Sequence, residues 1–152
     1  MPKVDLDAIE QTNRTGYPPP FDREVAGRWQ KPIGDKVGFA KLGARYATLE
    51  PGAWSSQRHW HDGEDEMVIM LSGKAVLVED DGETDVGAGD ILAWAKGSTN
   101  GHHLVNRSDE PCSFVAISAG PRTGGGYSDI DMVFTDDSRF CRRDGSEYPK
   151  RG

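Results

Sequence analysis

The residues with the clearest chemical potential are two histidines and a glutamate in one short stretch of the chain. His59 and His61 flank Trp60, and Glu66 follows after a short turn. Side chains alternate between the two faces of a β-strand, so both imidazoles point to one side, roughly 6.6–6.8 Å apart along the strand. Imidazole nitrogens and a carboxylate oxygen are ligands that divalent transition metals accept. This pattern predicts a metal site.

A second pair of histidines, His102 and His103, lies farther along the chain. Neighbouring residues of a strand face opposite sides, so only one of the two can join the first pair. With His102 as the ligand, Leu104 and Asn106 share its face and His103 lies opposite. We favour His102 as the fourth ligand, and His103 is the alternative.

Three adjacent acidic residues, Glu64, Asp65 and Glu66, are candidates for the carboxylate ligand. Glu66 stands at the edge of the apolar strand that follows, whereas Glu64 and Asp65 are expected to be solvated loop charges. Gln57 precedes His59 by two residues, which puts it on the strand face of the histidine pair. It is therefore a candidate substrate-binding residue or a support for the ligands.

The stretch from Gly52 to Gly73 resembles the first motif of the cupin family, G(X)5HXH(X)3–4E(X)6G. It agrees at the HXH pair, at the four residues before Glu66 and at the six residues between Glu66 and Gly73. It departs at its start, where six residues rather than five separate Gly52 from His59.

The stretch from Gly89 to Asn106 resembles the second cupin motif, G(X)5PXG(X)2H(X)3N. It keeps the spacing from Gly89 to Gly97 and the ending, in which three residues separate His102 from Asn106. It has Ala95 where the motif has proline, and four residues rather than two precede the histidine.

This resemblance covers about residues 44–118, and the whole chain is similar to the small single-domain bacterial cupins. It implies an all-β double-stranded β-helix, or jelly roll, that holds one divalent transition metal through His59, His61, Glu66 and His102. Zinc, manganese, iron and nickel are the candidate ions, because imidazole and carboxylate ligands do not select one of them. Coordination positions remain open, as a catalytic metal site requires.

The implied function is that of a metal-dependent enzyme acting on a small polar metabolite. Isomerase, lyase, decarboxylase and dioxygenase chemistry are the candidates, with a sugar-isomerase-like activity among them. The alternative is a non-catalytic cupin that binds or senses a small ligand. The fold does not choose between the two, because function resides in the site.

The remaining sequence predicts the elements that position these residues. Residues 1–36 contain five prolines and are expected to form an extended N-terminal arm, because proline opposes helices and central strands. Residues 37–120 form the predicted barrel, and residues 121–152 a loop, a last strand near 130–134 and a polar tail. The dipeptide Asp81-Gly82 predicts a hairpin turn. The predicted barrel strands are 37–50, 67–73, 74–80, 90–94, 102–106 and 112–118.

Charge and cysteine content limit the partners of the chain. With 18 basic and 25 acidic residues, the net charge of −7 repels nucleic acid and anionic membranes. No apolar run approaches the roughly 18–20 residues that span a bilayer. Cys112 and Cys141 lie far apart without a CxxC pattern, which favours the cytoplasm. The expected partner is a small-molecule ligand.

A homodimer is expected because one strand would present a row of apolar side chains on its outer face. If Glu66 faces the interior, Met67, Ile69 and Leu71 form an outward apolar row that needs cover. The N-terminal arm, laid across a second subunit in a two-fold pair, would supply that cover. The alternative is an arm that covers its own barrel.

Overall fold

The chain folds almost entirely into β-structure, as its turn signals and short apolar segments predict. The computed structural model describes residues 3–137 and 139–149. Their two short helical elements are a 3-10 turn at Leu6–Ala8 and the α-helix α1 at Ile33–Val37. The strands are β1 Arg28–Lys31, β2 Leu42–Leu49, β3 His59–His61, β4 Asp65–Ser72, β5 Lys74–Glu79, β6 Gly82–Gly87, β7 Ile91–Trp94, β8 His103–Val105, β9 Cys112–Ala119, β10 Gly125–Tyr127, β11 Val133–Phe134 and β12 Phe140–Cys141.

Antiparallel pairing between strands that are distant in sequence assembles three sheets. The largest has the order β1-β2-β9-β4-β7, the second β12-β11-β10-β3 and the third β6-β5-β8. A bridge between His59 and His102 joins β3 to the residue that precedes β8. This winding of the chain confirms the predicted all-β jelly roll.

The core of the barrel follows from strand alternation. In β4, Val68 and Met70 are buried, whereas Met67 is 40% exposed and Leu71 47% exposed on the outer face. Glu66 is the first inward residue of this strand, so the same alternation that buries the core directs its carboxylate into the barrel. The inward residues of the other core strands include Ala47, Leu49, Leu77, Leu104, Phe114 and Ala116.

The segment before Val37 does not form a free extended arm. Strand β1 pairs antiparallel with β2, and Thr12 bridges to Gln30 of β1. Tyr17 and Val25 are buried in a second apolar cluster together with Tyr127 and other residues that follow the barrel. The N-terminal segment therefore folds back on its own chain and packs against the C-terminal segment.

The C-terminal segment contributes more strand than the sequence predicts. It contains β10, β11 and β12, and β11 covers only the end of the strand expected near 130–134. The β5–β6 hairpin turns at Asp80 and Asp81, since Glu79 pairs with Gly82. The predicted turn at Asp81-Gly82 is therefore wrong by one residue. Of the predicted terminal segments, residues 1–2, 138 and 150–152 lie outside the described residues.

Two further features of the described residues concern their helices and their cysteines. No helix among them has the length and apolar character to span a membrane. Both cysteines are free thiols, Cys112 buried and Cys141 partly exposed.

Candidate metal centre

Three strands bring the predicted ligands to one point at the mouth of the barrel. His59 and His61 lie on β3, with their Nε2 atoms 3.3 Å apart. Glu66, at the start of β4, has Oε2 2.9 Å from His61 Nε2 and Oε1 2.8 Å from His102 Nε2. The ligand atoms of His59, His61 and Glu66 all lie within 4.8 Å of one another. His102 adjoins this triad through Glu66.

The outer nitrogens of two histidines are fixed by backbone carbonyls. His59 Nδ1 lies 2.8 Å from the carbonyl oxygen of Gln57, and His102 Nδ1 lies 3.1 Å from that of Asn100. A carbonyl only accepts hydrogen bonds, so each Nδ1 carries the proton and donates it. That tautomer leaves each Nε2 available to ligate an ion, which is the arrangement of histidines that bind a metal.

Glu64 supports the third histidine, contrary to the expectation that it is a solvated loop charge. Its side chain is only 11% exposed, and Oε2 lies 3.0 Å from His61 Nδ1. His61 Nδ1 has no hydrogen-bond partner with suitable geometry, so its contact with Glu64 is mainly electrostatic. Asp65, by contrast, is exposed and accepts a hydrogen bond from the Lys96 backbone N–H.

A close approach between two loops explains the burial of Glu64. A Cβ added at Gly63 would lie 2.4 Å from the carbonyl oxygen of Pro121, and one at Gly120 would lie 2.3 Å from that of Gly63. The segment after β9 thus lies on the turn that carries Glu64. No local pattern around residues 62–65 announces this contact, because it forms between positions almost sixty residues apart.

His102 and His103 face opposite sides, as strand alternation predicts. The ring of His102 stacks on Trp94, with centroids 3.6 Å apart and planes 3° from parallel. His103 Nδ1 instead lies 2.8 Å from the carbonyl oxygen of Ser56, and its ring meets Trp54 edge-on. Only His102 directs a nitrogen to Glu66.

Gln57 does not line the cavity beside the metal centre. It is buried, and its Nε2 donates hydrogen bonds to the Phe21 carbonyl at 3.0 Å and to Glu24 Oε2 at 3.2 Å. Strand alternation does not reach this residue, since β3 begins only at His59. A direct substrate contact at Gln57 is therefore unsupported, and its link to the site is the carbonyl that orients His59.

Burial and close charges set the protonation of the cluster. Burial lowers the pKa of His59 to about 4, so this imidazole is neutral. Burial also lowers the pKa of His61, but the carboxylates of Glu64 and Glu66 outweigh it and raise the pKa to about 9. For Glu66, burial raises the pKa, but hydrogen bonds with His102 and His61 outweigh burial and hold it well below its ordinary value.

These groups fit a divalent transition metal. An ionised Glu66 lies among the inward Nε2 atoms of His59, His61 and His102, so one carboxylate and three imidazoles converge, and a bound ion would displace the proton that the carboxylates hold on His61. Such a set of nitrogen and oxygen donors suits a divalent transition ion.

A cavity of about 300 Å³ opens beside the centre. One wall carries His59, His61, Glu64 and Glu66. The other residues that line the cavity come from segments that the sequence did not connect with the site. A sequence signal existed for only one of them, Arg45. In β2 it lies two and four residues before the buried Ala47 and Leu49, so strand alternation puts it on the same face as these two residues. The other cavity residues include Ser118, Arg122, Tyr127, Phe134, Thr135 and Phe140.

Comparison with known families and proteins bears directly on this geometry. The model of the Cupin domain family matches residues 45–118, which contain all four predicted ligands. Comparison with curated proteins found no match.

Solved structures show the same architecture over most of the chain. A sugar phosphate isomerase of the cupin superfamily from Silicibacter pomeroyi is 39% identical, with 97% of each chain covered and a TM-score of 0.90. The polyketide cyclase RemF from Streptomyces resistomycificus is 18% identical, covering 86% of this chain and 87% of its own, with a TM-score of 0.66. A predicted oxalate decarboxylase from Thermotoga maritima is 20% identical, covering 61% and 80%, with a TM-score of 0.53.

Proposed function

Because this chain belongs to the cupin family, we propose that it is a metal-dependent isomerase acting on a small sugar phosphate. The observation that carries the proposal is the cluster of His59, His61 and Glu66, adjoined by His102, which forms a candidate metal site on the wall of a cavity of about 300 Å³. The protein from Silicibacter pomeroyi that is 39% identical over 97% of both chains is described as a sugar phosphate isomerase.

The chemistry of isomerisation explains what the centre would contribute. A hydroxy-carbonyl sugar interconverts its two forms when a proton leaves the hydroxyl-bearing carbon beside the carbonyl and returns to the carbonyl carbon, while the hydroxyl proton passes to the carbonyl oxygen. The bound ion would polarise the carbonyl oxygen and offset the negative charge that develops there. The four predicted ligands would hold the ion at the cavity wall, and the fixed Nδ1 protons of His59 and His102 keep their rings in the ligating orientation.

Glu64 is the carboxylate best placed to carry the proton between the two carbons. It lines the cavity and, unlike Glu66, is not a predicted ligand of the ion. Its contact with His61 holds the carboxylate at the wall, and the aromatic residues Tyr127, Phe134 and Phe140 line the cavity with it. An apolar wall limits the access of water to the reacting atoms.

Elemental analysis and turnover together test this function. Protein purified without added metal is expected to contain about one divalent transition ion per chain. The metal-loaded protein is then assayed with aldose and ketose phosphates, keto acids and amino-acid derivatives, and isomerisation of a sugar phosphate is expected. Glu64→Gln, assayed at a metal concentration that restores the wild-type metal content, should abolish turnover, and Asp65→Asn is its matched control. Binding of sugar phosphates without turnover would reject the enzyme and favour a ligand-binding cupin.

We further propose that the protein acts in the cytoplasm. Its two free thiols, Cys112 and Cys141, support a reducing compartment. Fractionation of the source cells tests this, and recovery of the protein outside the cytoplasmic fraction would reject it.

A further inference from the structure

We propose that Arg45 and Arg122 form the subsite for the phosphate group of the substrate, and this proposal rests on the proposed function. Both arginines line the cavity that also carries His61, Glu64 and Glu66. They come from different parts of the fold, Arg45 from β2 and Arg122 from the segment after β9. A guanidinium group donates several hydrogen bonds in a planar fork that matches phosphate oxygens.

The register of the largest sheet puts Arg45 on the side that faces the cavity, where its side chain is exposed. Arg45 pairs with Ala116 of β9, and Ala116 pairs with Val68 of β4. Ala116 and Val68 are both buried, so this row of the sheet faces the interior. Glu66 lies two residues before Val68 on β4. Two strand spacings, roughly 9.4–9.8 Å, separate β2 from β4, so a ligand can reach from Arg45 towards the metal centre.

The close approach between two loops places Arg122 beside the turn that carries Glu64. Pro121 and Gly120 lie against Gly63, with carbonyl oxygens within 2.4 Å of where a Cβ would stand. Arg122 follows directly and is exposed at the cavity mouth. Its backbone is therefore held on the turn that carries Glu64. Arg122 lies in a loop, outside any helix or strand, and its side chain lines the cavity.

Neither arginine has a carboxylate partner in the part of the chain that the structure describes. The arginines with ion pairs there are Arg58, Arg107 and Arg139, which pair with acidic residues outside the cavity. Two guanidinium groups without an ion-pair partner favour an anion between them once a metal offsets the carboxylates of Glu64 and Glu66 in the same cavity. The net charge of −7 repels anions from most of the surface, so the attraction is local to this mouth.

The charge of the loaded cavity matches a phosphate ester. The carboxylates of Glu64 and Glu66 offset the charge of a divalent ion, which leaves the two guanidinium charges of Arg45 and Arg122. A phosphate monoester carries about −1.5 to −2 at pH 7. A carboxylate would use the same hydrogen bonds but offset only one of these charges. The volume of about 300 Å³ lies at the small end of ligand pockets, in keeping with a short sugar.

Calorimetric titration of inorganic phosphate into the metal-loaded protein tests the subsite. In Arg45→Gln and Arg122→Gln the affinity for phosphate is expected to fall at least about tenfold, because each variant loses a charge-assisted contact. Arg14→Gln, which removes an exposed guanidinium outside the cavity, is the matched control and should bind like the wild type. Acetate should bind more weakly than phosphate, and the metal content should be equal in all variants.

Two results would overturn the subsite. One is a phosphate affinity in Arg45→Gln and Arg122→Gln equal to that of Arg14→Gln. The other is acetate bound as tightly as phosphate, which would indicate a carboxylate ligand. Thermal unfolding checks that the variants fold, and Arg45→Lys and Arg122→Lys, which keep the charge but lose the fork, should bind phosphate with intermediate affinity.

The outcomes separate this subsite from the proposed function. Loss of phosphate binding in both glutamine variants, without turnover of any sugar phosphate by the wild type, would uphold the subsite and reject the isomerase. Isomerisation of sugar phosphates by a wild type whose phosphate affinity does not depend on Arg45 or Arg122 would uphold the isomerase and reject the subsite.

Discussion

At the residue scale, the site depends on how each imidazole is held as much as on its position. His59 and His102 donate Nδ1–H to backbone carbonyls, whereas His61 has the carboxylate of Glu64 beside Nδ1. The first two orientations are set by backbone atoms that side-chain substitution leaves in place. The third depends on one side chain, so Glu64 is the residue through which His61 is most easily disturbed.

We expect His102→Ala to lower the affinity for the metal more than any substitution of a supporting residue, and His103→Ala to leave the metal content unchanged. His102 Nε2 faces Glu66, whereas His103 Nδ1 donates to the Ser56 carbonyl on the other face. Loss of that buried hydrogen bond should cost His103→Ala about 1–3 kcal/mol of unfolding free energy. Elemental analysis and thermal unfolding of both variants check this. A greater metal loss in His103→Ala would contradict it.

Glu64→Gln is expected to lower metal affinity by about 10–100-fold, the usual effect of losing the partner of a ligating histidine. The substitution removes the charge 3.0 Å from His61 Nδ1 but no predicted ligand. Asp65→Asn, at an exposed carboxylate one residue on, is the control. Competition with a chromophoric chelator measures both affinities, and equal values for the two variants would argue against a supporting role for Glu64.

At the scale of elements, the site lies where loops and strand ends of different sheets meet. Strand β3 pairs with β10, which brings His61 opposite Gly125 and His59 opposite Tyr127. Strand β4 supplies Glu66 from the largest sheet. The segment between β9 and β10 packs against the turn at Gly63. The shape of the cavity therefore depends on how closely these two segments fit.

Gly63→Ala is expected to lower the unfolding free energy by about 1–3 kcal/mol, the usual cost of overpacking. Its new Cβ would lie 2.4 Å from a backbone oxygen of Pro121, which is too close for any rotamer change to relieve. Gly87→Ala is the matched control, since its Cβ would meet only the Gly73 carbonyl at 3.6 Å. Thermal unfolding compares the two, and equal melting temperatures would show that the segment after β9 moves aside freely.

Asn106, at the end of the second motif, is predicted to stabilise the fold rather than to serve the metal. It is fully buried, and its Nδ2 donates to the Leu49 carbonyl at 2.9 Å and to the Glu110 carbonyl at 2.8 Å. Asn106→Ala leaves those acceptors unpaired and should cost about 2–4 kcal/mol. Asn13→Ala, which loses one exposed hydrogen bond, should cost less than about 1 kcal/mol. Chemical denaturation measures both.

At the scale of the whole molecule, one apolar face is left uncovered by residues 3–137 and 139–149. Met67 and Leu71 of β4 are 40% and 47% exposed, and Ile91 of β7, paired with Ile69, is 63% exposed. Strand β7 is also the edge of the largest sheet. The N-terminal segment, which was expected to cover such a row, instead pairs with β2 at the other edge of that sheet.

We therefore expect a homodimer in which the row of Met67, Leu71 and Ile91 lies at the interface. Ile91→Lys should yield a monomer, because the substitution buries an unpaired charge at the centre of the row. Val4→Lys, in the N-terminal segment, tests whether that segment contributes to the same interface. Light scattering at micromolar concentration measures the mass, and a monomeric wild type would reject the dimer. Deletion before Val37 is a poorer test, since it removes β1 from the sheet.

The sequence by itself determined the parts of this protein that depend on short-range periodicity. Alternation along a strand is a property of the backbone, so it sufficed to put His59 with His61, to separate His102 from His103 and to turn Val68 and Met70 inward. Turn residues between short apolar segments sufficed for the all-β class, and the jelly roll followed from the resemblance to the two cupin motifs. Strand alternation does not apply at Gln57, because strand β3 begins only at His59.

Only the tertiary structure decided which distant segments share the site. The approach of Gly63 to Pro121, the pairing of β3 with β10 and the return of β1 to β2 leave no mark in the local sequence. Each depends on the free energy of packing the whole chain, in which many alternative pairings satisfy the same short-range pattern. For that reason Glu64 was expected in solvent, and Arg122 was not connected with a site that lies more than fifty residues away.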